Sequence, residues 1–290
     1  MSSNSSFLMP LEHHVDTPRG RLQFNVWEGN SDPTIFVHGI TYGPTVWTAV
    51  ARELGQGFHL VAPALRGHGD SSPGIPYPRM QDFVWDLRFL VRHLKFRKFS
   101  LVGHSLGASV ALAYAAKHPK EISKLVLMEP SLPPYGDNTR AGWAWRRGWM
   151  TSIRNRPMEW NSRTEALERL LRIPIYQAWD QETLNAFLDG ETRLVPSGKL
   201  EWKWSKEQVL GFLQHEQGWR LWDMMPMIPM PTLIIRAERT PFFTKKIAEA
   251  TQARIPKASL QSFDCGHEIP MELPFVLADT LKQFLFDQQT

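Results

Sequence analysis

At 290 residues the chain has room for one large α/β core carrying an insertion. Its 42% hydrophobic and 21% charged residues exclude a disordered chain, and a net charge of +4 spread over that length offers little to nucleic acid or an anionic membrane. The single cysteine, Cys265, leaves neither an internal disulfide nor a thiolate zinc cage. No apolar run approaches the ~20 residues of a membrane-spanning helix. Met1 to Pro10 lacks the basic and then apolar order of a secretory leader, so a cytoplasmic protein is expected.

In chain order, His13 to Asp16 and Arg21 to Trp27 flank the turn-like Thr17-Pro18-Arg19-Gly20 and read as an opening hairpin. Short buried-strand candidates follow at Thr34 to Val37, Phe58 to Ala62, Phe99 to Val102, Leu125 to Met128, Leu233 to Ile235 and Ser259 to Phe263. Between them Phe83, Leu87, Leu90, Val91 and Leu94 recur at helical spacing, as do Val110, Ala111, Tyr114 and Ala115. His118-Pro119 ends the second of these helices, because proline disfavours helical geometry in the residue before it and brings no amide donor. Strands alternating with helices predict an α/β fold: a mostly parallel sheet with helices on its faces.

The strand rhythm stops between Leu132 and Met230, a segment opened by Pro133-Pro134 and closed by Pro226, Pro229 and Pro231. We read residues 132–230 as an inserted, mainly helical cap on a core formed by 1–131 and 231–290. The cap carries Trp143, Trp145, Trp149, Trp160, Trp179, Trp202, Trp204, Trp219 and Trp222, mostly to bury area in a small layer, with some expected to line a pocket. Met224, Met225, Met227 and Met230 alternate with prolines and fit either a deformable pocket wall or packing. Arg92, Lys95, Arg97 and Lys98 close a predicted helix, where cations complement the helix dipole.

The sharpest motif is Gly103-His104-Ser105-Leu106-Gly107, placed between a predicted strand and an Ala-rich helix. A GxSxG string in that setting is a nucleophile elbow: its glycines permit close backbone approach, and the helix beginning at Leu106 aims amide hydrogens at Ser105. Serine is a weak nucleophile at neutral pH and needs an adjacent base. No metal-ligand cluster and no GxGxxG fingerprint occurs, so neither metal nor cofactor is expected.

His38-Gly39-Ile40-Thr41, then Leu65 to Ser71 (LRGHGDS), then GHSLG, then Asp264-Cys265-Gly266-His267-Glu268 resemble, in order, the landmarks of the α/β-hydrolase superfamily in its serine-nucleophile, capped branch. That resemblance implies His267 as the base and the backbone amides of Ile40 and Leu106 as the oxyanion hole. It makes His38, His68 and His104 local supports. The family's usual acid position falls on Thr240, whose hydroxyl cannot carry the charge that offsets an imidazolium. Glu129, ending the strand beside the nucleophile strand, is the leading replacement and Glu238 the alternative. Leu127-Met128-Glu129-Pro130 is similar to the arrangement in zearalenone lactonases and in one group of haloalkane dehalogenases. Asp223, Asp264 and Glu268 rank below both.

The resemblance implies a serine hydrolase cleaving an ester or lactone of an apolar, ring-containing small molecule through an acyl-enzyme. Three other activities of the superfamily stay open: hydrolysis of a carbon-carbon bond in ring-cleavage products, cofactor-independent oxygenation, and ligand reception without turnover. With serine rather than aspartate at the elbow, epoxide hydrolysis and dehalogenation are disfavoured.

Overall fold

The computed structural model describes residues 10–55, 57–72, 77–132, 140–215 and 220–286, with the backbone alone for 140–146 and 215. Strands β1 (Leu11–Thr17) and β2 (Gly20–Trp27) form the expected hairpin, which pairs through β2 with β4 (Leu60–Pro63) in antiparallel fashion. From β4 onward every pairing is parallel. With β3 (Thr34–Val37), β5 (Phe99–His104), β6 (Ile122–Met128), β10 (Thr232–Ala237) and β11 (Ala258–Phe263), the eight-stranded sheet runs β1-β2-β4-β3-β5-β6-β10-β11.

Burial explains the sequence texture of these strands. β3, β4 and β5 are buried along their whole length, so they read as apolar runs rather than as alternating faces, as strands covered on both sides must. The edge strand β1 carries exposed Glu12, His13, His14 and Asp16, charge that discourages another chain from pairing there.

Helices α1 (Thr48–Leu54), α2 (Met80–His93), α3 (Leu106–Lys117), α10 (Lys245–Gln252), α11 (Ile269–Glu272) and α12 (Pro274–Phe286) flank the sheet. Of these α3 is buried from Leu106 to Ala116, its alanines allowing it to lie close on β5 and β6, and it stops at Lys117 just before His118-Pro119.

Between β6 and β10 lie helices α4 (Arg140–Asn155), α5 (Arg163–Leu171), α6 (Pro174–Gln177), α7 (Gln181–Glu191), α8 (Lys206–His215) and α9 (Leu221–Met224). The same segment also holds a three-stranded antiparallel sheet, β7 (Glu159–Trp160), β9 (Leu200–Trp202) and β8 (Thr192–Leu194) in that spatial order, which the helical expectation missed. Strands of two or three residues are too short to show a period.

Aromatic packing dominates the insertion. Phe187, 1% exposed, stands 5.1 Å from Trp179, 5.3 Å from Trp202 and 5.8 Å from Tyr42 of the core, centroid to centroid. Trp160 meets Trp202 edge-on at 4.9 Å. These rings weld the insertion to the core through area and edge-to-face contact. The side chains of Trp143 and Trp145, and Pro133, Pro134 and Trp219 entirely, lie outside the described residues.

Candidate active site

The parallel register puts the decisive residues side by side. His104 pairs with Met128 across β5 and β6, so the next residues, Ser105 and Glu129, leave adjacent strand ends at the carboxyl edge of the sheet, where ligands bind in such folds. Ser105 takes φ 54° and ψ −118°, a strained conformation outside the usual range of L-residues. The strain is held on both sides: the Ser105 amide donates to the Met128 carbonyl at 2.9 Å, and its carbonyl accepts from Ala108 at 3.0 Å. A Cβ on Gly103 would lie 2.4 Å from the Gly107 carbonyl oxygen, and one on Gly107 would lie 2.1 Å from that of Val37. Both glycines are therefore required by contact as well as by the turn.

The loop after β3 closes over this elbow. Gly39 sits so near that a Cβ there would be 3.2 Å from the Ser105 Cβ, which brings Ile40 beside the first turn of α3. Thr41, at φ 65°, is pinned by its amide donating to His68 Nε2 at 3.0 Å, while His68 Nδ1 donates to the Arg66 carbonyl at 3.1 Å. His38 Nε2 accepts the Leu65 amide at 2.9 Å. Burial pushes the His68 pKa down to about 4 and that of His38 well below the ordinary value, so both rings are neutral and act as one donor plus one acceptor. The GHGD loop beneath is anchored by Arg66, which grips the buried Asp86 with bonds of 2.7 and 2.5 Å.

Glu129 is fully buried and has φ 48°. Its Oε1 accepts the Ala237 amide of β10 at 2.8 Å, and its Oε2 accepts Nδ1–H of His267 at 3.0 Å. The carboxylate thus crosses the end of β10 to reach a ring carried by the loop after β11. Thr240 sits in the cavity wall with its hydroxyl accepting the Phe242 amide at 3.2 Å. Glu238 is exposed, Asp264 pairs with Arg239 at 2.5 Å, and Asp223 pairs with Arg220. Among the candidate carboxylates it is Glu129 that the fold brings to His267.

The imidazole is positioned from three sides. The His267 carbonyl accepts His104 Nε2–H at 2.8 Å, and Phe242 meets the ring edge-on at 5.0 Å. Burial opposes protonation of His267, yet the Glu129 hydrogen bond and the nearby Glu268, Glu129 and Glu272 charges outweigh it and raise its pKa above the ordinary histidine value. Burial, reinforced by the neighbouring His267, holds His104 down to about 3. Cys265 is buried and its thiol is pushed up to about 12 by desolvation, which leaves it inert beside Ser105.

Ser105, Ile40, Leu106 and His267 all face one cavity of about 310 Å³. The insertion closes it with Trp149, Ile173, Ile175, Phe212 and Leu213. Trp149 is the described tryptophan that lines it, whereas Trp160, Trp179, Trp202 and Trp204 are buried in packing. The methionines do not reach the cavity wall: Met225 is fully buried where its turn packs on α3, and Met227 is 57% exposed. Sequence reasoning overlooked Tyr42 and Arg156, polar residues that share the wall, and it ranked Glu268, which also lies there, only as a lesser acid candidate. Among the described residues no group of three or more His, Cys, Asp or Glu could hold a metal ion, and no helix is long and apolar enough to cross a membrane.

Residues 32–274 match the α/β hydrolase fold family. The chain belongs to that family. This α/β-hydrolase is 24% identical over 283 residues to lipase LipV of Mycobacterium tuberculosis, a match covering 89% of the chain and 95% of LipV. Among solved structures it is similar to E-2-(acetamidomethylene)succinate hydrolase, with a TM-score of 0.85, 20% identity, and coverage of 96% of this chain and 100% of that one. It also resembles the M. tuberculosis esterase Rv0045c, with a TM-score of 0.75, 21% identity, and coverage of 96% and 92%. The protein is an enzyme of the hydrolase class, on the scaffold that the ordered motifs predicted.

Proposed function

We propose that this α/β-hydrolase cleaves a carboxylic ester or lactone through an acyl-enzyme on Ser105. His267, with Nδ1–H held by Glu129, has Nε2 free to accept the Ser105 proton as Oγ attacks the carbonyl carbon. The amides of Ile40 and Leu106 receive the developing oxyanion, where they need no reorganisation and act in a water-poor cavity. The protonated imidazole then gives its proton to the leaving alkoxide. Water enters, loses a proton to the same Nε2 and attacks the acyl carbon; as the C–Oγ bond breaks, the imidazolium returns that proton to Ser105 Oγ and the acid is released. The buried Glu129 carboxylate offsets the imidazolium charge in both halves.

The observation that carries this reading is the 3.0 Å bond between His267 Nδ1 and Glu129 Oε2 on the cavity that Ser105 also faces. Relatives named lipase and esterase favour ester chemistry. Residues 132–230 serve as the lid of the acyl pocket, with Trp149, Ile173, Ile175 and Phe212 suited to an apolar or ring-bearing portion of the substrate.

The test is a panel of esters, lactones and thioesters run on the wild type and on Ser105→Ala and Glu238→Gln, with products identified by mass. Turnover is expected to fall ~10⁴-fold or more in Ser105→Ala and to stay within about twofold in Glu238→Gln. Full activity in Ser105→Ala, or oxygen consumption that survives it, would remove the acyl-enzyme.

A further inference from the structure

One corner of the cavity is not apolar. Tyr42, Tyr176, Arg156 and Glu268 line it together, and the Tyr42 hydroxyl lies within hydrogen-bonding reach of the Glu268 carboxyl. The charge on Arg156 acts on all three neighbours. Arg156 is half-buried and braced: its Nη1 stands 3.5 Å from Thr41 Oγ1, its guanidinium lies 5.9 Å from the Trp204 ring, and its backbone carbonyl accepts Lys206 Nζ at 2.7 Å. Among the described residues no carboxylate forms an ion pair with it. Arg239, the other arginine on the wall, is paired with Asp264 at 2.5 Å.

Glu268 does not fill that role. It is 4% exposed, and its Oε2 is buried with no hydrogen-bond partner among the described residues. A charged oxygen left in that state is costly, and burial biases the carboxyl toward its neutral form. Both tyrosines are likewise held protonated by burial. The corner therefore sets a half-buried guanidinium beside two protonated phenols and a buried carboxyl that, among the described residues, makes no ion pair with it. A planar guanidinium matches a carboxylate by paired hydrogen bonds.

We propose that Arg156, flanked by the Tyr42 and Tyr176 hydroxyls, is a carboxylate subsite, so that the favoured substrate is an ester bearing an acidic group. This rests on the ester-cleaving reading above and adds an acidic group to the apolar or ring-bearing substrate expected from the tryptophan-rich insertion. Arg156 selects the substrate and takes no part in bond making.

The test uses two matched pairs of esters, which place the acid on either side of the scissile bond: 4-nitrophenyl hemisuccinate against valerate, and 4-carboxyphenyl butyrate against phenyl butyrate. In the wild type at least one acidic ester is expected to show a KM ~10-fold or more below its neutral match, with the advantage shrinking in high salt. Arg156→Gln should abolish that ratio mainly through KM, and Arg156→Lys should recover part of it. A wild type with no acidic preference in either pair overturns the subsite, as does an Arg156→Gln that weakens acidic and neutral esters alike. If none of these esters turns over, labelling of Ser105 by a fluorophosphonate separates the two readings. Labelling slowed by butyrate but not by butyramide supports the subsite, equal protection or none sinks it alone, and failure of the wild type to label removes the nucleophile reading instead.

Discussion

The carboxyl edge of the sheet and the insertion that covers it build the site by different means. At the edge, Ser105 and Glu129 follow the paired residues His104 and Met128, and the backbone bonds of β5, β6 and β10 set their places before any side chain is considered. In the insertion, Trp149 of α4, Arg156 just past its end, Ile173 before α6 and Phe212 of α8 share a wall only through tertiary packing, with α4 against α8 and Phe212 edge-on to Phe83 of α2. The strand ends place their residues by local backbone pairing, and the insertion places its wall by tertiary assembly.

The largest effect that would separate the two belongs to Glu129→Gln. The amide keeps the volume and the contact with Ala237 but cannot carry the charge, so kcat should fall by ~10³–10⁴ with the melting temperature little changed. An effect below about tenfold in steady-state kinetics would move the acid elsewhere.

Phe187→Ala strikes the other region. It removes a fully buried ring from the cluster of Trp179, Trp202 and Tyr42, and the transfer and cavity costs together predict a loss of about 3–5 kcal/mol in denaturant unfolding. A loss under ~1 kcal/mol would mean that the insertion holds to the core by other contacts.

Trp149→Ala should raise KM for bulky esters by roughly tenfold and leave kcat within a few-fold, since the residue lines the cavity from the insertion and carries no group that moves a proton. Steady-state kinetics with acyl chains of graded size would show the effect growing with the chain. An equal loss across the series would argue that the tryptophan supports packing instead.

A smaller shift is expected in the pH profile. His267 must be neutral to accept a proton, and its pKa is raised in the folded enzyme, so kcat/KM should fall as pH drops through a midpoint above the ordinary histidine value of about 6.5. In Glu129→Gln, which removes the carboxylate from the ring, the residual activity should show that acid limb moved to lower pH. A midpoint that stays put would leave Glu268 and Glu272 as the charges in control.

Most of the edge was legible in the sequence because strand, turn and helix are local patterns. The apolar run from Phe99, the glycines at 103 and 107 and the Ala-rich stretch after Leu106 each carry their own signal. The place of Glu129 could be read as well, since it ends the strand that pairs with the one leading to Ser105. The strand limits were less visible: β4 begins at Leu60 rather than Phe58, and β10 extends to Ala237, because pairing with neighbouring strands rather than apolar content decides where a strand ends. In the insertion the signal failed. The sheet of β7, β9 and β8 is too short to show a period, the methionine run packs on α3, and Arg156 reaches the cavity from just past the end of α4, where nothing in the sequence hints at what lies opposite.

The reach of Glu129 across the end of β10 has an evolutionary corollary. On the proposal that the proton machinery is anchored on the neighbouring strand, Thr240 and Pro241 are relieved of catalytic duty while still bordering the cavity. Substitutions at these two positions would then re-tune which compounds are accepted without disarming the enzyme.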